Sequence, residues 1–123
     1  MCIRDSYETT AEAGLPGYVV PQECGNHTAV RWLEITDEQG VGIRIESEKP
    51  FEFSVLPYTC HELEQARHLY ELPRPYASVL RLNAEQTGVG GDNSWGAWAH
   101  DAYIVRGSED KTFRFQIVPI DRK

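Results

Sequence analysis

The chemically richest stretch of this 123-residue sequence is Gly88-Val89-Gly90-Gly91-Asp92-Asn93-Ser94-Trp95-Gly96. It puts a carboxylate, an amide, a hydroxyl and an indole on one glycine-rich turn. Sugars need that mixture, because their hydroxyls want paired donors and acceptors while the C–H face of a pyranose stacks on an aromatic ring. A competing reading makes Trp95 a packed core aromatic and the glycines the makers of a tight turn. The stretch lacks the Lys-Ser/Thr ending of a phosphate loop, and Asp92 would repel a phosphate, which argues against a nucleotide. Ser94 lacks the Gly-x-Ser-x-Gly spacing of a nucleophile elbow.

Other candidates carry less. Cys24, His27, Cys60 and His61 offer thiols and imidazoles for zinc, but their spacing matches no finger or ribbon, and adjacent Cys-His side chains diverge. Ordinary thiols and surface imidazoles account for them. His68 and His100 have no sequence-local partner that would mark a general base. A glycosidase needs two carboxylates facing each other across a sugar. No such pair stands out, since Glu34, Asp37, Glu38, Glu46, Glu48 and Glu52 fall on strand faces or turns that read as solvated.

Twelve Lys and Arg against 19 Asp and Glu give a formal charge of −7. That balance argues against a nucleic acid or an anionic membrane as partner. No apolar run reaches the roughly 18 residues of a membrane span, and no secretory signal is legible at the start. Hydrophobic residues at 41% and charged ones at 25% fit a globular chain with a single core. Cys2, Cys24 and Cys60 are too few and odd in number for a disulfide scaffold, so reduced thiols and a cytoplasmic location are expected. Residues 1–6 join no periodic pattern and are expected to be disordered or foreign to the fold, leaving 7–121 as the domain.

The elements that must hold these residues read as strands. Val41, Ile43 and Ile45 alternate with polar residues, as do Phe51, Phe53 and Val55, with Glu52 and Ser54 facing away. Phe113, Phe115 and Ile117 repeat the pattern. Thr28 to Thr36 is denser and suits a strand covered on both faces. Asp37-Glu38-Gln39-Gly40 reads as a hairpin loop, and Glu48-Lys49-Pro50 as a turn. Further strands are expected near Ala77 to Leu82 and Ala102 to Val105. Thr59-Cys60-His61-Glu62 is a capping box that opens a helix of two to three turns through Leu63, Ala66 and Tyr70, stopped by Pro73 and Pro75. The class expected is all-β, an antiparallel β-sandwich with one short helix near 60–70.

Several of these stretches resemble one family. Tyr18-Val19-Val20-Pro21-Gln22-Glu23-Cys24-Gly25-Asn26, then Val30-Arg31-Trp32, is similar to a signature of the C-terminal, small-chain (domain 5-like) β-sandwich of glycoside hydrolase family 2 β-galactosidases. So are Pro50-Phe51-Glu52-Phe53-Ser54, the helix with Glu62-Leu63, the later His68 and Glu71-Leu72, and the Gly88–Gly96 loop. The motifs occur in the family's order over roughly Tyr7 to Ile120. Cys24 stands where the family usually has Asn.

The resemblance implies a partial sandwich of the galactose-mutarotase-like kind that sits beside a TIM barrel. Trp95 is then the platform that stacks on the aglycone sugar, such as the glucose of lactose, with Asp92, Asn93 and Ser94 lining or shaping its loop. Trp98 and His100 follow the family pattern without an assigned role. The catalytic glutamates and the Mg²⁺ and Na⁺ sites are implied on the barrel, which no part of this chain resembles. A C-terminal fragment or small subunit of a β-galactosidase is therefore expected. It would need the rest of the enzyme as partner, would be inactive and poorly soluble alone, and would touch a β-galactoside without cleaving it. Two rivals use the same residues: a free-standing carbohydrate-binding module, and a mutarotase-type epimerase with His100 and Glu23 as acid and base.

Overall fold

The computed structural model describes residues 6–122 apart from Pro16, Val89 and Ser94. Among the described residues, four strands and one α-helix occur in the order β1 (His27–Thr36), β2 (Val41–Leu56), α1 (Cys60–Gln65), β3 (Val79–Asn83) and β4 (Gln116–Asp121). The strands form one sheet in the order β1-β2-β3, and β4 also pairs with β2. The all-β, antiparallel class holds, with one short α-helix among the described residues.

The chain divides into two compact units. One takes the residues as far as His27 together with Phe53–Arg81; the other takes Thr28–Glu52 and the chain from Leu82 onward. In the second unit β1 and β2 form a hairpin. Asp37 accepts the backbone N–H groups of Gln39 and Val41 on Oδ1, at 2.9 and 3.0 Å. Gly40 takes φ +80°, the left-handed conformation that closes the loop with little steric cost. A Cβ on Gly42 would lie 1.9 Å from the Ile35 carbonyl oxygen, so only glycine lets the strands approach there. β4 runs antiparallel to the start of β2, from Val41 opposite Asp121 to Glu46 opposite Gln116. Leu33, Ile45 and Phe51 are the buried hydrophobics of this unit. The Phe113 ring packs 6.3 Å from that of Phe51.

In the first unit α1 opens as its residues dictate. The Thr59 hydroxyl accepts the Glu62 N–H at 3.2 Å, and the Glu62 carboxylate accepts the Thr59 N–H at 2.7 Å. Leu63 and Ala66 are buried with Leu56. The Cys24 thiol donates to the Gly14 carbonyl at 3.3 Å, and Gly25, at φ +71°, lies so near that carbonyl that a Cβ would stand 3.1 Å from it.

Six expectations change. The turn at Glu48-Lys49-Pro50 is absent, and β2 passes straight through it. All three residues are exposed. A residue before proline favours extended backbone, and the missing N–H of Pro50 is tolerable where water faces the strand. Beyond Phe51 the buried positions switch parity: Ser54 and Leu56 are buried, so Ser54 does not face away. β1 is not covered on both faces, because Trp32 is 43% exposed and is capped by the Arg44 guanidinium, 4.5 Å from the ring centroid. The strand expected over Phe113–Ile117 begins only at Gln116, since Phe113 packs its ring on Phe51 and Phe115. Ile117, opposite the fully buried Ile45, is 53% exposed.

The last two changes concern turns. Residues 102–105 form no strand; Asp101–Tyr103 is a 3₁₀ turn whose Tyr103 N–H donates to the His100 carbonyl at 2.8 Å. Likewise α1 ends at Gln65, because Ala66 is extended (φ −79°, ψ 130°) and Leu69–Glu71 winds a separate 3₁₀ turn. Tyr70 is consequently 81% exposed rather than part of the helix's buried face.

Candidate functional site

The glycine-rich stretch is the first half of a loop pinned at its base. Gly88 donates its N–H to the Tyr103 carbonyl at 2.8 Å, and Val105 donates to the Thr87 hydroxyl at 3.3 Å. Halfway up, the two limbs touch. A Cβ on Gly91 would lie 2.5 Å from the Trp98 carbonyl oxygen and 2.6 Å from that of Ala97. Only glycine permits so close a crossing.

Above that crossing the side chains named from the sequence divide their work. Asn93 Oδ1 accepts the Trp95 N–H at 2.9 Å, an Asx turn that bends the tip. Gly96, at φ +97°, completes the bend. Asp92 Oδ1 lies 2.8 Å from His100 Nε2 across the loop. A carboxylate only accepts, so this nitrogen carries the proton and donates. Ser94 lies outside the described residues. Trp95 is 91% exposed and Trp98 is 88% exposed. The reading of Trp95 as a packed core aromatic is therefore wrong: its indole is open to solvent, and Asn93 shapes the backbone beside it.

The remaining candidates are engaged separately. Cys24 is bonded to Gly14, and burial, followed by the neighbouring Glu23 charge, pushes its thiol up from the ordinary range. Such a thiol is less nucleophilic and a poorer metal ligand. His27 Nδ1 donates to the Gly25 carbonyl at 2.8 Å, and its ring lies between those of Tyr7 and Phe53. Cys60 is exposed, and His61 pairs with Gln65. Among the described residues no three His, Cys, Asp or Glu side chains gather for a metal ion, and no helix is long and apolar enough to cross a membrane. Cys2 lies outside the described residues.

His68 stacks on Tyr70 and faces Glu71. Glu71 also accepts the Arg67 N–H, and that bond, with His68 beside it, holds its carboxyl below the usual range. Of the two residues named for an epimerase, Glu23 is ion-paired with Arg81 and His100 with Asp92. An open groove of about 410 Å³ is lined by Pro21, Gln22, Glu23, Cys60, Leu63 and Glu64.

Sequence reasoning missed two arrangements. His100 finds its partner eight residues upstream, because the loop doubles back; nothing local in the sequence marks that return. Arg44 joins Trp32 and Glu34, the latter at 2.9 Å, and Glu34 also accepts from Arg122 at 2.6 Å. Pairing of β1, β2 and the chain after β4 creates this cluster.

Comparison with known proteins agrees with the motifs. A profile of the family described as "Beta galactosidase small chain" matches residues 3–117. A β-galactosidase of Halalkalibacterium halodurans is 46% identical over 113 residues, which is 91% of this chain and 11% of that protein. A β-galactosidase of Streptococcus thermophilus is 37% identical over 94% of this chain and 11% of its own length. A protein of Latilactobacillus sakei named β-galactosidase small subunit is 40% identical over 94% of this chain and 39% of its own length. The chain thus spans about a tenth of the long relatives it matches. Its matched length, its all-β fold and its tryptophan loop lead to one conclusion: this chain belongs to the β-galactosidase small-chain family.

Proposed function

We propose that this chain supplies the aglycone-side sugar contact of a β-galactosidase while the catalytic carboxylates reside in another part of the enzyme. The observation that carries the reading is the 91% exposure of Trp95 at the tip of a pinned loop. A large apolar face held in water by a shaped turn is costly to maintain unless something covers it, and a pyranose ring has the matching C–H face. Asp92 and Asn93 keep the turn in shape, the latter through the Trp95 N–H; Ser94 shares the tip by sequence.

In a retaining glycosidase one carboxylate attacks the anomeric carbon and a second protonates the leaving oxygen. We assign both, along with the Mg²⁺ and Na⁺ sites, to a larger barrel-bearing partner in the cytoplasm. The role of Trp95 is to hold the leaving sugar of a β-galactoside such as lactose in line, which favours reaction by orientation. The relative named as a small subunit supports the division of labour, since its name describes a chain that is one part of an enzyme.

The test is Trp95→Ala in the assembled enzyme. Loss of one aromatic stack is expected to raise KM for lactose roughly two- to tenfold. Hydrolysis of a small aryl galactoside, which has no aglycone sugar, should stay near the parent rate. Equal losses on both substrates would sink the platform role. Sugar binding by the isolated chain, with no effect of adding it to a truncated enzyme, would favour a free-standing carbohydrate-binding module.

A further inference from the structure

We infer that His100 is a positioning residue for the Trp95 platform, acting through Asp92 as a clamp across the loop; the inference rests on the aglycone-contact reading above. Three observations converge on it. The base of the loop is closed by backbone, Gly88 to Tyr103 at 2.8 Å. Its limbs cross at Gly91, which lies against the Ala97 and Trp98 carbonyls. Beyond the base, the one side-chain bond described between the two limbs straddles that crossing: His100 Nε2–H, on the return limb between the crossing and the base, donates to Asp92 Oδ1, one residue past the crossing, at 2.8 Å.

The tip that carries Trp95 lies between the two members of this pair in sequence. The Asx turn at Asn93 bends the tip but reaches only two residues, within one limb. It cannot set the tip's direction relative to the other limb. A bond spanning eight residues can, because it removes the hinge freedom of the whole segment between its ends. Asp92 is thereby a strut rather than a direct ligand for sugar hydroxyls on that oxygen. The histidine serves as a donor through one ring nitrogen, and any side chain presenting an N–H at the same reach would do.

The experiment compares His100→Phe, which keeps a planar ring and loses the donor, with His100→Gln, whose terminal amide can place an N–H close to the position of Nε2. Both are made in the assembled enzyme, beside Trp95→Ala. The readouts are KM and kcat for lactose and for an aryl galactoside, and amide hydrogen exchange across residues 90–98. His100→Phe is expected to raise the lactose KM about two- to fivefold, the size of effect an exposed ion pair carries. It should leave kcat and the aryl substrate unchanged and speed exchange in the loop, with His100→Gln restoring both.

His100→Phe matching the parent in exchange and in lactose KM would overturn the clamp while leaving the platform intact, provided Trp95→Ala is impaired. A defect in His100→Phe that Gln does not rescue would also overturn it. If Trp95→Ala itself leaves lactose unaffected, the platform reading fails first and the positioning role falls with it. Faster exchange in His100→Phe would then mark the pair as structural only.

Discussion

Trp95 and Trp32 show how one residue type serves two ends. Trp32 lies on β1 under the Arg44 guanidinium, which Glu34 anchors from the side. Such a cation–π contact shields the ring and is worth about 0.5–1 kcal/mol at an exposed site. Trp95 has an Asx turn and glycines around it instead of a cap, and stays open. The loop's dependence on glycine can be tested at Gly91. Gly91→Ala forces a Cβ into two carbonyl oxygens and must open the crossing. We expect amide exchange over residues 90–98 to rise several-fold while global stability drops by less than about 1 kcal/mol, as is usual for an exposed loop. Unchanged exchange would show that the limbs do not rely on that close approach.

At the scale of elements, α1 is short enough that its N-terminus matters most. Six residues cannot form an independent helix in water. The capping box and the burial of Leu63 and Ala66 hold it. Thr59→Ala is expected to lower stability by about 1 kcal/mol, read as a shift in the denaturant midpoint. The box also carries a pH signature. Hydrogen bonds from Thr59 hold the Glu62 carboxyl below its ordinary range. A group depressed on folding stabilises above its unfolded pKa and loses that contribution as pH falls through the folded one. Helix stability should therefore decline on acidification below the ordinary glutamate range, and Glu62→Gln should flatten that part of the profile. A profile identical to the parent would remove the box as its source.

At the scale of the whole molecule, each unit keeps a small core and leaves much apolar surface exposed. In the unit built on the β1–β2 hairpin, Ile117 and Phe115 stand open at β4 beside the buried Ile45. In the other, Tyr18, Val19 and Tyr70 are exposed. Apolar surface on this scale drives association, while the net charge of −7 opposes it. We expect the isolated chain to self-associate with rising concentration in sedimentation velocity, more so as pH approaches its isoelectric point near 5.0. Ile117→Lys should weaken that association about tenfold, since one buried aliphatic side chain contributes roughly that much. A chain that stays monomeric throughout would show that these residues do not form a sticky face.

The all-β class, the family, the hairpin at Asp37–Gly40, the start of α1 and the loop that bears Trp95 are all legible in the order of residues. Each is written in neighbouring residues: alternation for strands, Asp and Gly for the turn, Thr59 and Glu62 for the cap, a contiguous motif for the loop. Where the strands end and which faces water meets follow from packing across the fold. Strand ends depend on a partner's hydrogen-bond register, so β2 runs through Pro50 and β4 begins at Gln116 opposite Glu46. Burial depends on what packs above a residue, so Ser54 is inside while Ile117 and Tyr70 are outside. The Asp92–His100 bond belongs to the same class. It joins residues eight apart only because Gly91 lets the two limbs of the loop meet, and no local pattern records where a chain returns to itself.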